Sequence, residues 1–243
     1  MSDANRHLRD AFGMAQPEHY AWQTGAPYVA EQERELCERA FLPLGRRVLD
    51  VGCGEGATLY HLGGPEGAVG IDLFEEKIAF ARARLPRCTF HAGSAYELPF
   101  ERHEFDHVLV RDVIHHLEQP ERFLSECARV LAPGGTVDVL EPCRYNPLIL
   151  LHAITQPAER GELRSTPSYL RSLLSREFRV ESSQRMQAMP IHRIVFHPRL
   201  GWPLAGNNSW IRGAVAMAER TAERVFPRAA WAYIHLRARS EER

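Results

Sequence analysis

Short apolar runs alternate along this chain with segments whose apolar residues recur at helical spacing. The runs lie at residues 48–51, 67–73, 105–110 and 136–142, and each is four to seven residues long. Between the second and third runs, one helical face carries Phe74, Ile78, Ala81 and Leu85. This alternation predicts an α/β fold with a doubly wound, mostly parallel sheet.

The segment before the fifth strand has a clear predicted beginning and end. Pro120 suits the first turn of a helix, and Pro133-Gly134-Gly135 predicts its end. On one side of this helix lie Phe123, Leu124, Cys127, Val130 and Leu131. We therefore expect the fifth strand to begin at Thr136 and to end at Pro142.

The loop after the first strand carries the most informative motif, Asp50-x-Gly52-x-Gly54-x-Gly56. Alternating glycines allow a sharp turn and let a ligand lie against the main chain. A dinucleotide-binding turn instead requires Gly-x-Gly-x-x-Gly. The motif resembles the first motif of class I S-adenosylmethionine-dependent methyltransferases. The resemblance implies that Asp50, Gly52, Cys53 and Gly54 bind the cofactor, with Asp50 facing an ammonium group or ordering the loop.

Two further segments fit an adenosine ligand. Asp72 ends the second run, where an acid can bind both ribose hydroxyls, and Leu73 can cover one face of adenine. The stretch from Gly93 to Phe100 resembles the methyltransferase pattern Gly-Asp-Ala-x-x-Leu-Pro-Phe. Ser94 stands where that family has an acid and is a weaker acceptor for the adenine amine. Ala95 and Tyr96 are expected to contact the cofactor through the backbone and the ring.

The run at residues 105–110, the predicted fourth strand, leads into a cluster of titratable side chains. Asp112, His115 and His116 follow it directly, and this stretch resembles the family's Val-Leu-His-His-Leu segment. Ligands of open α/β sheets bind beyond the carboxyl ends of the strands, and histidine suits general-base chemistry near neutral pH. We predict these three as the catalytic residues, with structural roles as the alternative. Arg111, at the end of the same strand, is a predicted cofactor contact.

The resemblance also implies how the remaining chain is organised. We expect a single Rossmann-like methyltransferase domain of seven strands with an antiparallel last strand. Its predicted parts are an N-terminal helical lid (1–43), an S-adenosylmethionine-binding core (44–142), cap insertions (143–165 and 187–230) and the last strand (231–239). That strand should pair antiparallel with a sixth at 178–186. Tyr20 or Tyr28 in the lid is expected to touch the cofactor.

The second insertion ends in an amphipathic segment, residues 209–226. Its apolar stripe comprises Ile211, Val215, Ala218, Ala222 and Val225. This stripe is expected either to pack on the sheet or to form a wall of the acceptor site, and mixed charges on the other face make a membrane-surface helix less favoured.

Composition excludes several classes of protein. The net charge of −1 over 243 residues disfavours a nucleic-acid partner, and no apolar run is long enough for a transmembrane helix. Without a signal-peptide pattern, we expect a cytoplasmic location. The five cysteines form no Cys-x-x-Cys pair and should be reduced. No metal site is expected, a cation at Asp112 and His116 being the open alternative.

The predicted function is methyl transfer from S-adenosylmethionine to a small molecule, with S-adenosylhomocysteine as product. A hydroxyl oxygen of an apolar specialised metabolite is the favoured acceptor. Three alternatives stay open at this point. They are a carbon or nitrogen acceptor in a small molecule or lipid, a cofactor-binding scaffold or pericyclase-like protein that transfers no methyl group, and a nicotinamide-linked reductase. The oligomeric state is left undetermined by the sequence.

Overall fold

The computed structural model describes residues 12–198 and 201–241. One seven-stranded sheet runs through these residues in the order β3-β2-β1-β4-β5-β7-β6. Its strands are β1 (Val48–Val51), β2 (Val69–Asp72), β3 (Thr89–Ala92), β4 (Phe105–Arg111), β5 (Leu131–Pro142), β6 (Phe178–Met186) and β7 (Tyr233–Ser240). The predicted α/β class is confirmed.

The first five strands are parallel, and β7 lies antiparallel between β5 and β6. The predicted antiparallel pairing of the last two strands is therefore confirmed. The strand order reverses between β1 and β4, which is the place where open α/β sheets bind ligands. The carboxyl ends of these two strands carry the glycine loop and the histidine pair.

Helices cover both faces of the sheet. They are α1 (Pro17–Gly25), α2 (Pro27–Phe41), α3 (Ala57–His61), α4 (Glu75–Arg84), α5 (Pro120–Val130), α6 (Pro147–Thr155), α7 (Pro167–Leu174), α8 (His192–Val195) and α9 (Ser209–Val225). One core packs α5 and α7 against the sheet around Phe123 and Leu170, and a second packs α2 and α4 around Phe41 and Ile78. No helix in the described ranges is both long and apolar enough to cross a membrane.

The fifth strand begins earlier than its sequence predicts. It starts at Leu131, directly after α5, and Leu131 pairs with Phe105 before the register shifts. Gly134 has a φ of 72°, so the Pro-Gly-Gly stretch bends the strand and does not precede it. The prediction that Leu131 belongs to the helix and that the strand starts at Thr136 was wrong for this reason.

Asn146 ties the two insertions together. Its side chain accepts the N–H groups of Leu148 and Ile149 at the start of α6 and donates to the carbonyl oxygens of Ala188 and Ala230. The first insertion continues from α6 into a 3-10 segment, Pro157–Arg164. One polar side chain thus fixes the beginning of α6 to both ends of the second insertion.

The amphipathic helix α9 forms as predicted, but little of its apolar stripe is buried. Val215 packs with Trp22, Val29 and Phe196 in a cluster separate from the two that cover the sheet, whereas Val225 is 75% exposed. The helix also contacts a 3-10 segment, Pro203–Asn207. The expectation that this stripe packs on the sheet was therefore wrong.

Candidate active site

The three glycines of the first loop all have left-handed backbone conformations. The φ angles of Gly52, Gly54 and Gly56 are 76°, 53° and 83°. A Cβ atom on Gly52 would lie 2.4 Å from Cγ2 of Val113, which follows β4. Glycine is therefore required where the loop after β1 touches the loop after β4.

The two acids of the expected cofactor site have different surroundings. Asp72 accepts the Gly54 N–H at 3.0 Å and the Phe74 N–H at 3.1 Å, so it orders the glycine loop. Asp50 is buried, and within the described ranges its Oδ2 atom has no hydrogen-bond partner. Burial raises the pKa of Asp50 to about 7, against the opposing charge of Arg111. An unsatisfied buried carboxylate suits a cationic ligand.

The other predicted cofactor contacts lie around this loop. Cys53 is buried beside Gly70, and Leu73 is 41% exposed. Ser94 accepts the Tyr96 N–H at 3.1 Å, which closes a local turn. The hydroxyl of Tyr96 accepts the N–H groups of Glu118 and Gln119, while Ala95 and Tyr96 pack on the core. The contacts that these residues make with a cofactor remain a prediction.

A buried carboxylate holds the turn that contains the two histidines. Glu141, at the end of β5, accepts the N–H groups of Val113 and Ile114 at 2.7 and 2.8 Å. Its other oxygen lies 2.7 Å from Nδ1 of His115. Although burial has the opposite effect, Glu141 and Glu159 hold the pKa of His115 well above its usual range. Glu141 thereby fixes the orientation of the His115 ring.

The two histidine rings converge on a second carboxylate, Glu159, from the Pro157–Arg164 segment. The Nε2 atoms of His115 and His116 lie 3.3 and 3.8 Å from the same Glu159 oxygen. Burial, followed by the neighbouring His115, lowers the pKa of His116 to about 4, so this ring is neutral at pH 7. Within the described residues, Nδ1 of His116 is buried without a hydrogen-bond partner. His115, His116 and Glu159 are called the His-His-Glu centre below.

Asp112 and Arg111 lie beside this centre but have other partners. Asp112 has a φ of 54°, and its side chain lies 3.4 Å from Nε of Arg111. Arg111 is buried and forms an ion pair with Glu33 of α2. Arg193 of α8 reaches the other oxygen of Glu33 at 2.6 Å. This group joins the sheet, the N-terminal helices and the second insertion.

The two tyrosines of the N-terminal region lie in different environments. Tyr20 is buried against the rings of Tyr60 and Phe80, and within the described ranges its hydroxyl has no hydrogen-bond partner. Tyr28 donates its hydroxyl proton to Glu219 of α9 at 2.7 Å. The structure thus places Tyr28 against the second insertion, while a cofactor contact of either tyrosine stays a prediction.

The segment before α1 passes over the strand ends. The ring of Phe12 packs on His116 with centroids 4.9 Å apart, and the Gln16 N–H donates to Glu55 of the glycine loop at 3.0 Å. Glu55 also lies 3.8 Å from Lys77. This short segment therefore spans the space between the glycine loop and the His-His-Glu centre.

Comparison with known proteins identifies the middle of the chain. Residues 49–138 match the family model described as a methyltransferase domain. This stretch is a methyltransferase domain. The match confirms the resemblance to class I S-adenosylmethionine-dependent methyltransferases that the glycine loop indicates. The domain contains most of β1, all of β2 to β4 and most of β5, together with the glycine loop and both histidines.

Curated relatives match over similar lengths. The chain is 34% identical over 109 residues to norajmaline N-methyltransferase of Rauvolfia serpentina, covering 42% of this chain and 37% of that protein. It is 41% identical over 96 residues to a fatty-acid O-methyltransferase of Mycolicibacterium smegmatis, covering 37% of this chain and 35% of that protein. The chain thus spans less than half of the length of these two relatives.

Solved structures share the fold over more of the chain. A SAM-dependent methyltransferase from Thermotoga maritima aligns with a TM-score of 0.68 at 19% identity, covering 97% of this chain and 99% of that one. The (4+2)-cyclase SpnF aligns with a TM-score of 0.58 at 23% identity, covering 88% and 81%. At these identities the alignments show a common Rossmann-like methyltransferase fold and nothing about the reaction.

Three acids of the site were not among the predicted residues. Glu141 lies near the end of β5, three residues beyond the matched stretch, where its position at a strand end was an available signal. Glu33 and Glu159 lie further outside the matched stretch, in α2 and in the first insertion. Their only signal is the tertiary packing, since neither has a local motif.

Proposed function

We propose that this protein binds S-adenosylmethionine and transfers its methyl group to a hydroxyl oxygen of a small, largely apolar acceptor. The observation that carries the proposal is the direct contact between the glycine loop after β1 and the histidine turn after β4, at Gly52 and Val113. A donor lying on the first loop would present its methyl group towards the second. S-adenosylhomocysteine would be the second product.

The donor half of the site supports this assignment through its charges. Asp50 offers the ammonium of the methionine part a carboxylate oxygen, Oδ2, that has no hydrogen-bond partner among the described residues. Asp72, which orders the glycine loop, keeps free lone pairs for the ribose hydroxyls, since each carboxylate oxygen accepts more than one hydrogen bond. Leu73 is exposed beside it for the adenine ring.

The acceptor half supports oxygen chemistry. The acceptor oxygen attacks the methyl carbon, the carbon–sulfur bond breaks, and its electron pair stays on sulfur. The hydroxyl proton passes to His116, whose Nδ1 atom has no other partner among the described residues. His115, whose ring centroid lies 3.9 Å from that of His116, acts as a positioning residue, while the predicted catalytic role of Asp112 stays a prediction. Alignment of the three reacting atoms is the main source of rate enhancement for such an attack.

An apolar acceptor is supported by the first insertion. Helix α6 carries His152 close to Glu159 and exposes Leu151 and Ile154, which are 59% and 62% accessible. Apolar side chains beside a polar centre suit a molecule with a hydroxyl at one end of an apolar body. The fatty-acid O-methyltransferase among the relatives is compatible with this class of acceptor.

Two measurements test the proposal. Calorimetric titration should give micromolar affinity for S-adenosylmethionine and S-adenosylhomocysteine and none for NADH. Asp72→Ala should abolish donor binding, whereas Glu76→Ala, a change to an exposed acid in the nearby helix α4, should not. Mass spectrometry should then detect S-adenosylhomocysteine and a product heavier by one methylene when phenols and hydroxylated fatty acids are offered. Binding of NADH alone would overturn the assignment.

A cofactor-binding protein that transfers no methyl group is the second candidate, because the (4+2)-cyclase shares the fold. This candidate would be favoured if the protein binds the donor but forms no S-adenosylhomocysteine with any acceptor in the panel. Loss of turnover in His116→Ala, with donor affinity retained, would favour the methyltransferase and the proposed base. Unchanged turnover in that variant would contradict the role of His116.

A further inference from the structure

We propose that the His-His-Glu centre binds a divalent transition-metal ion through His115, His116 and Glu159. One donor atom from each residue lies within 4.8 Å of the other two. These side chains come from two segments that are distant in sequence. A search for closely spaced histidines and acids therefore does not detect the group.

The distances are close to those of a metal site. Metal–ligand bonds of about 2.1 Å place neighbouring ligand atoms about 3.0–3.4 Å apart in octahedral or tetrahedral geometry. The two Nε2 atoms lie 3.3 and 3.8 Å from the Glu159 oxygen. Both distances to Glu159 are thus within about an ångström of the required values, and the two histidine donor atoms lie within 4.8 Å of each other, so side-chain rotation can bring the three ligands around one ion.

The donor set indicates which ions fit. Two imidazoles and one carboxylate suit Zn²⁺, Fe²⁺, Co²⁺, Ni²⁺ or Mn²⁺ and leave coordination positions open. Mg²⁺ and Ca²⁺ prefer sites built wholly from oxygen atoms. The centre is therefore expected to take an ion of the first-row transition series or zinc.

The residue behind His115 matches the usual support of a metal-bound histidine. A ligating imidazole commonly has its other ring nitrogen hydrogen-bonded to a carboxylate, which sets the ring orientation. Glu141 does this at Nδ1 of His115, is completely buried, and is itself held by two backbone N–H groups. Nε2 is thereby directed towards Glu159.

The segment that supplies Glu159 is fixed against the histidine turn. Arg164 donates to the carbonyl oxygen of Leu117 at 3.2 Å, and Gly161 lies directly on the carbonyl group of His115. Glu159 lies between these anchors and the end of α6. Its position beside the two rings is therefore set by backbone packing.

A neighbouring group, His152, Glu159 and Glu162, shares one acid with the centre. His152 is 46% exposed, and its ring is hydrogen-bonded to Glu162. The proposal commits to the more buried group because it has the supporting carboxylate. His152 is consequently the matched control, since it lies in the same insertion and is not assigned as a ligand.

A bound ion would affect the acceptor chemistry, and this step rests on the proposed function. An acceptor hydroxyl on an open coordination position loses its proton more readily than the free hydroxyl. Acceptors with two adjacent oxygen atoms could occupy two such positions. With the ion bound, His116 would be a ligand, the ion would lower the pKa of the acceptor hydroxyl, and the hydroxyl proton would leave to solvent water.

The test uses the full chain after chelator dialysis and removal of any affinity tag. Titration with Co²⁺ should give visible d–d absorption and one ion per chain by elemental analysis. His116→Ala and Glu159→Gln should remove this binding, Glu141→Gln should weaken it about 10–100-fold, and His152→Ala should leave it unchanged. Circular dichroism of each variant, together with the donor titration in the absence of metal, shows that the fold and the proposed cofactor site are intact.

Other outcomes overturn the metal proposal. They are the absence of Co²⁺ binding by the wild-type chain, binding that survives in both Glu159→Gln and His116→Ala, and binding that is lost only in His152→Ala. Because S-adenosylmethionine binding is measured without metal, failure of the metal site is distinguishable from failure of the proposed function.

Discussion

Gly161 lies against the main chain of His115 so closely that a Cβ atom added to it would be 1.7 Å from the His115 carbonyl oxygen. Rotation of a side chain could not relieve the clash of an added Cβ atom, because the neighbouring atoms of His115 belong to its backbone. The first insertion and the histidine turn therefore pack together only while residue 161 is glycine.

Gly161→Ala should displace the segment that carries Glu159. We expect Co²⁺ affinity to fall at least about tenfold, in the range found when the support of a metal site is lost, with a lower melting temperature. Gly213→Ala is the control, because that glycine lies within α9 with no atoms near the added Cβ. It should stabilise the protein by about 0.5–1 kcal/mol. Unchanged Co²⁺ affinity in Gly161→Ala would contradict this account.

Removing metal should affect methyl transfer without affecting donor binding. After chelation we expect methyl transfer to fall at least about tenfold, because an unbound acceptor hydroxyl ionises less readily, and to recover on addition of Co²⁺. S-adenosylmethionine affinity should not change, since Asp50 and Asp72 are not ligands in the proposed centre. Full turnover in the chelated protein would instead leave His116 as the acting base.

The raised pKa of Asp50 predicts that donor binding depends on pH. A carboxyl group with a pKa of about 7 is largely protonated at pH 6 and cannot then pair with an ammonium group. Affinity for S-adenosylmethionine should therefore rise between about pH 6 and about pH 7.5, before an α-amino group with a pKa near 8 loses its own proton. Arg111 and Asp72 are the charged groups that act on this carboxyl.

Calorimetry at several pH values tests this dependence. Asp50→Asn should bind the donor more weakly above pH 7 and show a flat profile over the same range. At pH 7 the wild-type protein should release protons on binding, which buffers of different ionisation enthalpy reveal. A wild-type profile without slope would mean that Asp50 does not face the donor.

Glu33 should be a major contributor to stability. Although burial has the opposite effect, the charges of Arg193 and Arg111 hold its pKa well below the usual range. The stabilisation is thus present above the unfolded-state pKa of glutamate and is lost as the pH falls through the lower folded value. Glu33→Gln leaves the buried Arg111 and the partly buried Arg193 without their shared carboxylate and should cost about 3–5 kcal/mol.

Chemical denaturation at neutral pH measures this effect. Glu35→Gln is the control, because Glu35 and Arg39 form an exposed pair on the same helix, and such pairs contribute about 0–1 kcal/mol. Equal losses in the two variants would contradict the assigned role of Glu33. The role of Glu33 would also be contradicted if the free energy of unfolding of the wild-type protein did not decrease on acidification.

Much of the fold could be predicted because the sequence signals that specify it lie within the segments that they describe. The periodicity of apolar residues locates most strands and helices, and the glycine motif locates the turn after β1. The start of β5 was misplaced because a Pro-Gly-Gly stretch reads as a strand boundary, whereas Gly134 bends a continuous strand. The periodicity predicts helix α9 itself. It does not predict which residues pack against the helix, because periodicity shows which face is apolar and not what covers that face.

The acidic members of the site could not be predicted in the same way. Glu33, Glu141 and Glu159 come from three separate elements and meet Arg111 and the histidines only after the insertions have packed. The matched stretch reaches none of the three, since it begins after residue 33 and ends before residue 141.

The segment from Phe12 to Gln16 contacts both halves of the site, so ligand binding at either half has to displace the same segment. Phe12 covers the ring of His116, Gln16 is bonded to Glu55, and the four residue steps between them span at most about 14 Å. A ligand that lifts one end therefore strains the other. The first ligand to bind must displace this segment, and that displacement weakens its binding. The second ligand binds after the segment has moved, so donor and acceptor should bind with positive cooperativity.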